Sequence, residues 1–427
     1  MPIQNIKSNA LICIGLIIGI VVTISRKSIK NWYSNNNNNE KGFIKKRNQT
    51  DKRILRQHIS KENEEEIVEG LEGLIGNTPL MKIKSLSKAT GCEILGKAEF
   101  LNPGGSPKDR VALNMIKIAE EKGLIKPNTG CTIFEGTSGS TGISIAMISR
   151  AKGYNAWIIV PDDQAEEKYQ LLEKLGATVE KVRPVSIIDK NHFVNLAKSR
   201  AQEFGKSNHN DANDNNEDNP TGYFADQFEN MANFQAHYET TGPELYRQTN
   251  GNIDAIVAGA GTGGTIAGIS SYLKQLIPNL KVLLVDPPGS GLYHKVKHNV
   301  MYSSYEAEGT RRRHQVDTIV EGVGLNRMTQ NFNMAHGLID DAIQVTDEEA
   351  VLMARYLVKE EGLFVGSSSA INCVGCVRVA RKLGPGHRIV TILCDSGQRH
   401  LTKFWNDDYL KENNISPIES DGLDFIK

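Results

Sequence analysis

The sequence predicts an α/β fold in which parallel sheets are covered by helices on both faces. Short apolar strands alternate with helical segments: a strand at 157–160 precedes a helix at 166–175, and another strand begins at Thr178. Apolar strands recur at 282–285 and 389–393. This alternation is typical of βαβ units, whose strands are buried on both faces and therefore read as continuous apolar runs.

Length and composition limit the class of protein. With 427 residues the chain can hold two or three domains. Its formal net charge is zero, so nothing in the overall charge points to nucleic acid as a partner. The six cysteines are scattered through apolar segments and are interpreted as reduced core residues. Cys373 and Cys376 have the C-x-x-C spacing, but they fall within a helical pattern without a second pair, so no metal site is predicted.

Near the N-terminus, residues 10–24 form one apolar run that is followed by Arg26 and Lys27. As a helix this run covers about 22 Å, which is less than the roughly 30 Å hydrocarbon core of a bilayer. A secretory signal would need a small-residue cleavage site, and a mitochondrial presequence would be arginine-rich rather than uniformly apolar. We therefore interpret residues 1–32 as a short signal anchor that spans the membrane at 10–25 and leaves the following chain on the cytosolic side.

Two polar segments are predicted to lack packed structure. Residues 33–68 contain a run of asparagines at 35–39 and continue as a charged stretch, which is typical of a flexible tether. A second Asn/Asp-rich tract, 207–220, separates a predicted helix at 191–204 from a predicted strand at 223–226. We interpret it as a disordered expansion of a loop.

Lys108 lies in a glycine-rich turn, 102–110, that leads into a helical pattern. A lone lysine in such a place is usually a solvated side chain. Far along the chain, however, the apolar strand 253–260 runs into a glycine loop that opens a helix, with the loop residues Gly261, Thr262, Gly263, Gly264 and Thr265. Such a loop binds anions of phosphate size through its backbone N–H groups. A phosphate cradle together with an amine that can condense with an aldehyde indicates pyridoxal 5'-phosphate.

Over residues 69–409 these motifs resemble the cysteine synthase/cystathionine β-synthase family. Within that family the sequence is most similar to the fungal, membrane-tethered cysteine synthase-like proteins of mitochondria. The resemblance implies a fold-type II (tryptophan synthase β-like) catalytic region at 69–427, with the cofactor in a cleft between two domains. The smaller, mobile domain would comprise residues 111–226. The resemblance also implies a homodimer, anchored in the mitochondrial outer membrane or, alternatively, in the endoplasmic reticulum.

A loop after the predicted strand 132–134 opens another helix with hydroxyl-bearing residues. Hydroxyls and free N–H groups at a helix start can bind a carboxylate, although ordinary N-capping explains the same residues. The resemblance implies that this loop and Gln227 hold the substrate α-carboxylate; the loop residues are Thr137, Ser138, Gly139 and Thr141. Ser140 stands where the family has an asparagine that contacts the cofactor.

The resemblance also assigns residues around the cofactor ring. Lys108 would hold the cofactor and take the α-proton, and Ser396, which follows a buried strand, would face the pyridine nitrogen, with Asp395 as the rival. A neutral serine there favours β-elimination over transamination. The loop 321–324 resembles the family's glycine turn near the cofactor ring, but the residues that follow it, 325–327, differ from the usual continuation. In the loop 366–370, Ala370 stands where a glycine is frequent, and we expect both changes to reshape the site of the second substrate.

These assignments predict β-replacement: L-cysteine forms from O-acetyl-L-serine and sulfide, and acetate is released. Two alternatives stay open. The segment 401–404 is similar to the cystathionine β-synthase branch, which condenses serine with homocysteine. Ser140 and Ala370 instead motivate a tethered protein that binds the cofactor with little synthase turnover.

Overall fold

The computed structural model describes residues 67–207, 220–302, 318–417 and 420–427. The predicted anchor, nearly all of the predicted tether and nearly all of the Asn/Asp-rich loop lie outside these residues. Both sheets of the structure belong to one unit, Gly70–Lys427. No helix within the described residues is long and apolar enough to cross a membrane.

Two sheets contain the strands of the described residues. In chain order the strands are β1 (Leu80–Lys82), β2 (Glu93–Ala98), β3 (Thr132–Gly136), β4 (Asn155–Pro161), β5 (Thr178–Val182), β6 (Gly222–Phe224), β7 (Ala255–Gly259), β8 (Lys281–Asp286), β9 (Asp341–Gln344) and β10 (Arg388–Leu393). A six-stranded sheet has the order β1-β2-β10-β7-β8-β9, and a four-stranded sheet has the order β5-β4-β3-β6. This two-sheet arrangement confirms the predicted α/β fold.

All strand pairs are parallel except β1 with β2, which is antiparallel. The expectation of purely parallel sheets was therefore wrong at one edge. Antiparallel edge strands are common on otherwise parallel sheets. Only the short segment 83–92 joins β1 to β2, which suffices to reverse the chain but is shorter than a parallel crossover requires.

Helices cover the sheets. Within the described residues they are α1 (Lys84–Thr90), α2 (Lys108–Glu121), α3 (Ser140–Lys152), α4 (Glu166–Lys174), α5 (Phe193–Ser207), α6 (Ala232–Ala236), α7 (Gly242–Thr249), α8 (Gly264–Leu276), α9 (Leu292–His298), α10 (Gln330–Asn333), α11 (Asp347–Glu361), α12 (Ser367–Leu383) and α13 (Asp407–Glu412). A π-helical turn, His237–Thr241, joins α6 to α7. Cys373 and Cys376 lie on α12, fully buried as free thiols in the core.

The central strands explain the apolar runs of the sequence. β10 lies between β2 and β7, and its residues Ile389, Val390, Ile392 and Leu393 are all at most 1 % exposed. Burying one such side chain contributes about 1.5–3 kcal/mol. A strand covered on both faces can therefore tolerate few polar residues, which is why its position could be predicted.

A buried ion network holds the start of α2. The Arg110 guanidinium donates to Glu99 through Nε and Nη2, at 2.8 Å each, and to Glu244 through Nη1 and Nη2, at 2.6 and 2.9 Å. Lys97 Nζ adds a contact of 2.5 Å to Glu244 Oε2. All four side chains are nearly inaccessible to solvent. The network joins α2 to α7 and to the chain that follows β2, and therefore fixes the backbone next to Lys108.

Candidate active site

The carboxyl ends of strands β3, β7 and β10 open onto one cavity of about 200 Å³. Such positions are where α/β folds bind ligands. The predicted site residues on its wall are Lys108, Thr137, Ser138, Gly139, Ser140, Thr141, Gln227, Gly261, Thr262 and Thr265. Segments that are widely separated in the sequence thus meet around Lys108. Three other predicted site residues, all within the described part of the chain, do not line the cavity: Gly263, Gly264 and Ser396.

Gly263 and Gly264 face away from the cavity and toward neighbouring chain. Gly263 has a φ of +89°, and a Cβ there would approach the backbone of Phe332 to 2.6 Å. A Cβ on Gly264 would collide with the side chain of Asn233. These glycines therefore shape the cradle through close packing behind it.

The two threonines of the cradle are held by one face of the helix behind it. Asn233 Nδ2 donates to Thr262 Oγ1 at 2.7 Å, and His237 Nε2 lies 3.1 Å from Thr265 Oγ1. Burial lowers the pKa of His237 well below its usual value, and the charges of Arg110 and Lys108 lower it further. A neutral His237 can donate to Thr265, which leaves the proton of that hydroxyl for an anion.

Lys108 is the first residue of α2, and the turn before it is locked by a buried carboxylate. Asp109 Oδ2 accepts from Gly104 N at 2.6 Å, and Asp109 Oδ1 accepts from Ser144 Oγ at 2.5 Å. Burial lowers the pKa of the Lys108 amine, although the charge of Asp395 acts in the opposite direction. A larger share of this amine is therefore neutral, and nucleophilic, than in a solvated lysine.

The hydroxyl-bearing loop begins after β3 and ends in the first turn of α3. Thr141 Oγ1 donates to Gln227 Oε1 at 2.5 Å, and Gln227 Nε2 donates to Glu135 at 3.1 Å. The Gln227 side chain is therefore fixed against this loop. Ser140 accepts from Arg399 Nη1 at 3.4 Å.

Ser396 follows β10 as expected, but its hydroxyl binds the backbone of its own turn. It accepts from Gln398 N at 3.3 Å and caps a short 3₁₀ turn. Ser368, at the start of α12, lines the cavity instead and is 6 % exposed. The loop 366–370 was predicted to shape the site of the second substrate, with no role for Ser368. The available signal was a run of serines that opens a helix after a buried residue.

A row of charged side chains on the cavity wall was also missed. Lys168 Nζ lies 2.6 Å from Glu321 Oε2, and His400 lies 3.0 Å from the same oxygen. The other ring nitrogen of His400 lies 2.9 Å from Asp395 Oδ2. No local pattern indicates these pairs, because Lys168 and Glu321 are 153 positions apart.

The cavity combines the groups that a phosphate-bearing aldehyde needs. The 13-residue helix α8 begins next to Thr262 and Thr265, and the start of a helix favours an anion; the two threonines add hydroxyls that are already oriented. Gly261 packs so closely on Gly322 that a Cβ would collide with its carbonyl oxygen. With the Lys108 amine in the same cavity, the residues fit pyridoxal phosphate. Fold and site together define an enzyme that uses this cofactor.

Comparison with known proteins agrees with this class. Residues 71–395 match the family described as "Pyridoxal-phosphate dependent enzyme", and the chain belongs to that family. A Schizosaccharomyces pombe protein named "Cysteine synthase 2" is 60% identical over 85% of this chain and 90% of its own length. A Saccharomyces cerevisiae protein named "Putative mitochondrial cysteine synthase" is 55% identical over 82% of this chain and 86% of its own.

A solved structure of an O-ureido-L-serine synthase is similar with a TM-score of 0.67 and 27% sequence identity, over 79% of this chain and 95% of that one. The likeness therefore extends across nearly the whole of that solved chain. It supports the two-sheet fold.

Proposed function

We propose that the protein is a cysteine synthase that forms L-cysteine from O-acetyl-L-serine and sulfide and releases acetate. The observation that carries this proposal is the convergence of Lys108, the phosphate cradle and the hydroxyl-bearing loop on one cavity. Relatives that are 60% identical over most of the chain are named cysteine synthases, which supports the same activity.

Pyridoxal phosphate, when bound, supplies the electron sink that allows an α-proton and a β-substituent to leave. Thr262, Thr265 and the first turn of α8 would hold its phosphate. Ser140 lies beside the cradle wall and would contact the ring through its hydroxyl. A serine is shorter than the family's asparagine, so a water molecule can complete this contact.

Lys108 would attach the cofactor and then move the proton. Its Nζ, once free, takes the α-proton of the bound amino acid, because burial favours the neutral amine. The β-acetoxy group leaves with its bonding electrons as acetate. Sulfide then forms the new C–S bond at the β-carbon that acetate has left, and Lys108 returns a proton to the α-carbon.

The loop after β3 would hold the substrate carboxylate. Its N–H groups lie at the start of the 13-residue helix α3, where the helix dipole favours a negative charge. Thr137, Ser138, Gly139 and Thr141 line the cavity there, and Gln227 is braced by Thr141 and Glu135. Fixing the carboxylate would align the α-proton with Lys108.

We propose that Ser368, in place of Ser396, faces the pyridine nitrogen, because only Ser368 of the two lines the cavity. Ser368→Ala is expected to lower kcat/KM by about 10- to 100-fold, the loss of a buried hydrogen bond to a reacting group. Ser396 caps a 3₁₀ turn with its hydroxyl, and the matched variant Ser396→Ala is expected to keep a kcat/KM within about threefold of wild type. Equal losses in both variants would contradict the assignment. The measurement is steady-state cysteine formation.

The reaction itself can be tested on the cofactor-loaded protein. Cysteine and acetate are expected in equal amounts from O-acetylserine and sulfide, with a reversible change in the visible absorbance of the cofactor when O-acetylserine is added. Serine with homocysteine is the competing pair, and cystathionine as the faster product would favour that branch. A cofactor absorbance that neither amino acid changes would overturn the synthase and favour a tethered cofactor-binding protein.

We further propose that residues 10–25 anchor the protein in the mitochondrial outer membrane as a homodimer with the catalytic region toward the cytosol. The apolar run with basic residues after it supports an anchor, and the name of the Saccharomyces cerevisiae relative supports the organelle. Protease treatment of intact mitochondria should then digest the catalytic region. Full protection of that region would place it inside the organelle instead.

A further inference from the structure

Four charged side chains form a chain across the wall of the cavity, and we call it the charge clasp. It consists of Lys168 on α4, Glu321 in the loop before α10, His400 after the 3₁₀ turn and Asp395 after β10. Glu321 Oε2 contacts both Lys168 and His400, at 2.6 and 3.0 Å. The mechanism above uses none of these residues.

His400 is the centre of the charge clasp. Its side chain is 3% exposed, and each ring nitrogen lies within 3.0 Å of a carboxylate oxygen. Two carboxylates this close to the ring favour its charged, imidazolium form. Burial alone would lower the pKa of His400, but Asp395 and Glu321 raise it to about 9.

Other charges face this group from the surrounding elements. Lys403 Nζ lies 4.0 Å from Glu321 Oε1, and Arg399 and Lys168 both act on Asp395. Burial would raise the pKa of Glu167, beside Lys168, but hydrogen bonds from Thr402 and, to a smaller extent, the charge of His400 lower it. The positive and negative groups alternate, so neutralising His400 removes the positive charge that lies between the two buried carboxylates Glu321 and Asp395.

The charge clasp touches the substrate loop through Lys168. Lys168 Nζ donates to Ser138 O at 3.4 Å, and a Cβ on Gly139 would lie 3.1 Å from the end of the Lys168 side chain. At the other end, the loop that begins at Glu321 packs on the phosphate cradle, where Gly324 N donates to Ala260 O at 2.9 Å. The charge clasp thus ties the carboxylate loop to the cradle.

We propose that His400 is a positioning residue for the amino-acid substrate. The protonated ring fixes Glu321, which fixes Lys168, which in turn supports Ser138 and Gly139 under the substrate carboxylate. The assignment of the carboxylate to this loop rests on the proposed function. In this proposal His400 acts through its neighbours Glu321 and Asp395 rather than on the substrate itself.

His400→Gln removes the positive charge and keeps a side chain of similar size. We expect the KM for O-acetylserine at pH 7 to rise about tenfold while kcat changes by less than about threefold, as when binding common to ground and transition states is lost. In wild type, the KM for O-acetylserine should itself rise as the pH passes about 9, where His400 loses its proton. In His400→Gln that additional rise should be absent.

His192→Gln is the matched control. His192 is also buried, at 2% exposed, but its pKa is lowered to about 4, so it is neutral at pH 7. This variant should keep the wild-type rise of KM at high pH. Lys168→Gln should raise KM as His400→Gln does. The KM of the double variant should be no higher than that of the single variant with the larger effect, because both residues act through Glu321.

A readout without substrate separates this proposal from the proposed function. The folded-state pKa of His400 is raised, so its stabilisation is complete below about pH 6.5 and is lost as the pH rises through about 9. The difference in Tm between wild type and His400→Gln should therefore shrink over that interval. If O-acetylserine fails to bind while this Tm pattern holds, the proposed function is wrong but the charge clasp exists.

Two results overturn the proposal. One is an unchanged KM and an unchanged pH dependence in His400→Gln. The other is additive losses in the double variant. If His400→Gln does not fold, Lys168→Gln takes its place, and a KM equal to wild type in that variant is equally decisive.

Discussion

Cysteine formation is expected to fall by about 10³-fold or more when Lys108 is replaced by alanine, because covalent attachment and proton transfer both depend on this amine. Residual turnover can come only from positioning of the substrate by the loop and cradle. Burial, which lowers the pKa of the amine, is the physical reason why this lysine rather than a solvated one can act as a base.

The control for this variant is Lys117→Ala, an exposed lysine on the same helix, which should retain wild-type activity. Borohydride reduction followed by peptide mapping gives an independent readout. In wild type the peptide that contains Lys108 should carry the cofactor, and in Lys108→Ala no peptide should. More than about a tenth of wild-type turnover in Lys108→Ala would show that another group takes the α-proton.

Arg110→Ala is expected to lower the free energy of unfolding by about 3–5 kcal/mol, the usual cost of breaking a buried ion pair from one side. Glu99 would keep hydrogen bonds from Thr78 and Asn102 at 2.7 and 2.9 Å, and Glu244 would keep Lys97. Both carboxylates would nevertheless lose a two-pronged guanidinium that compensates their burial. Arg110→Lys keeps the positive charge but not the planar guanidinium that pairs with both carboxylates, and it should lose less free energy of unfolding than Arg110→Ala.

Arg200→Ala is the matched control, since Arg200 pairs with Glu180 and Glu203 at the surface. It should cost less than about 1 kcal/mol. Urea unfolding followed by tryptophan fluorescence measures both variants. A loss below about 1 kcal/mol in Arg110→Ala as well would mean that the buried network contributes no more than an exposed pair.

The buried network also predicts how stability depends on pH. Burial would raise the pKa of Glu244, but Arg110 and Lys97 lower it to about 2 from a usual value of 4.5. A carboxyl with a lowered folded-state pKa stabilises the fold above its usual pKa and ceases to do so as the pH falls through the folded value. Wild type should therefore lose stability between about pH 4.5 and 2, and Arg110→Ala should lose less over the same interval.

Strand positions could be predicted where the strand is covered on both faces. The predicted strand 389–393 is Arg388–Leu393 in the structure, and 282–285 is Lys281–Asp286. β9, with the residues Asp341–Gln344, could not be found in this way because only one of its residues is buried. Edge strands carry a weak pattern because one side of the ladder is unpaired.

Ser368 and Ser396 differ in a way that local sequence patterns do not indicate. Both serines come shortly after a buried segment, and each stands at or near the start of a helical turn. An isolated bridge between Val365 and Ser396 brings the two loops together. Of the two serines, only Ser368 then lies on the cavity wall. No property of either loop alone encodes that outcome.

The sequence by itself determined the α/β class and predicted the lysine, the glycine cradle and the carboxylate loop, because each depends on a short run of residues with its own local geometry. The tertiary structure alone decided which serine meets the cavity, why Gly263 and Gly264 are glycines, and which charges pair. Those features arise where segments distant in sequence come within a few ångströms. Burial there makes an unpaired charge costly, so the fold, rather than any local pattern, selects the partner.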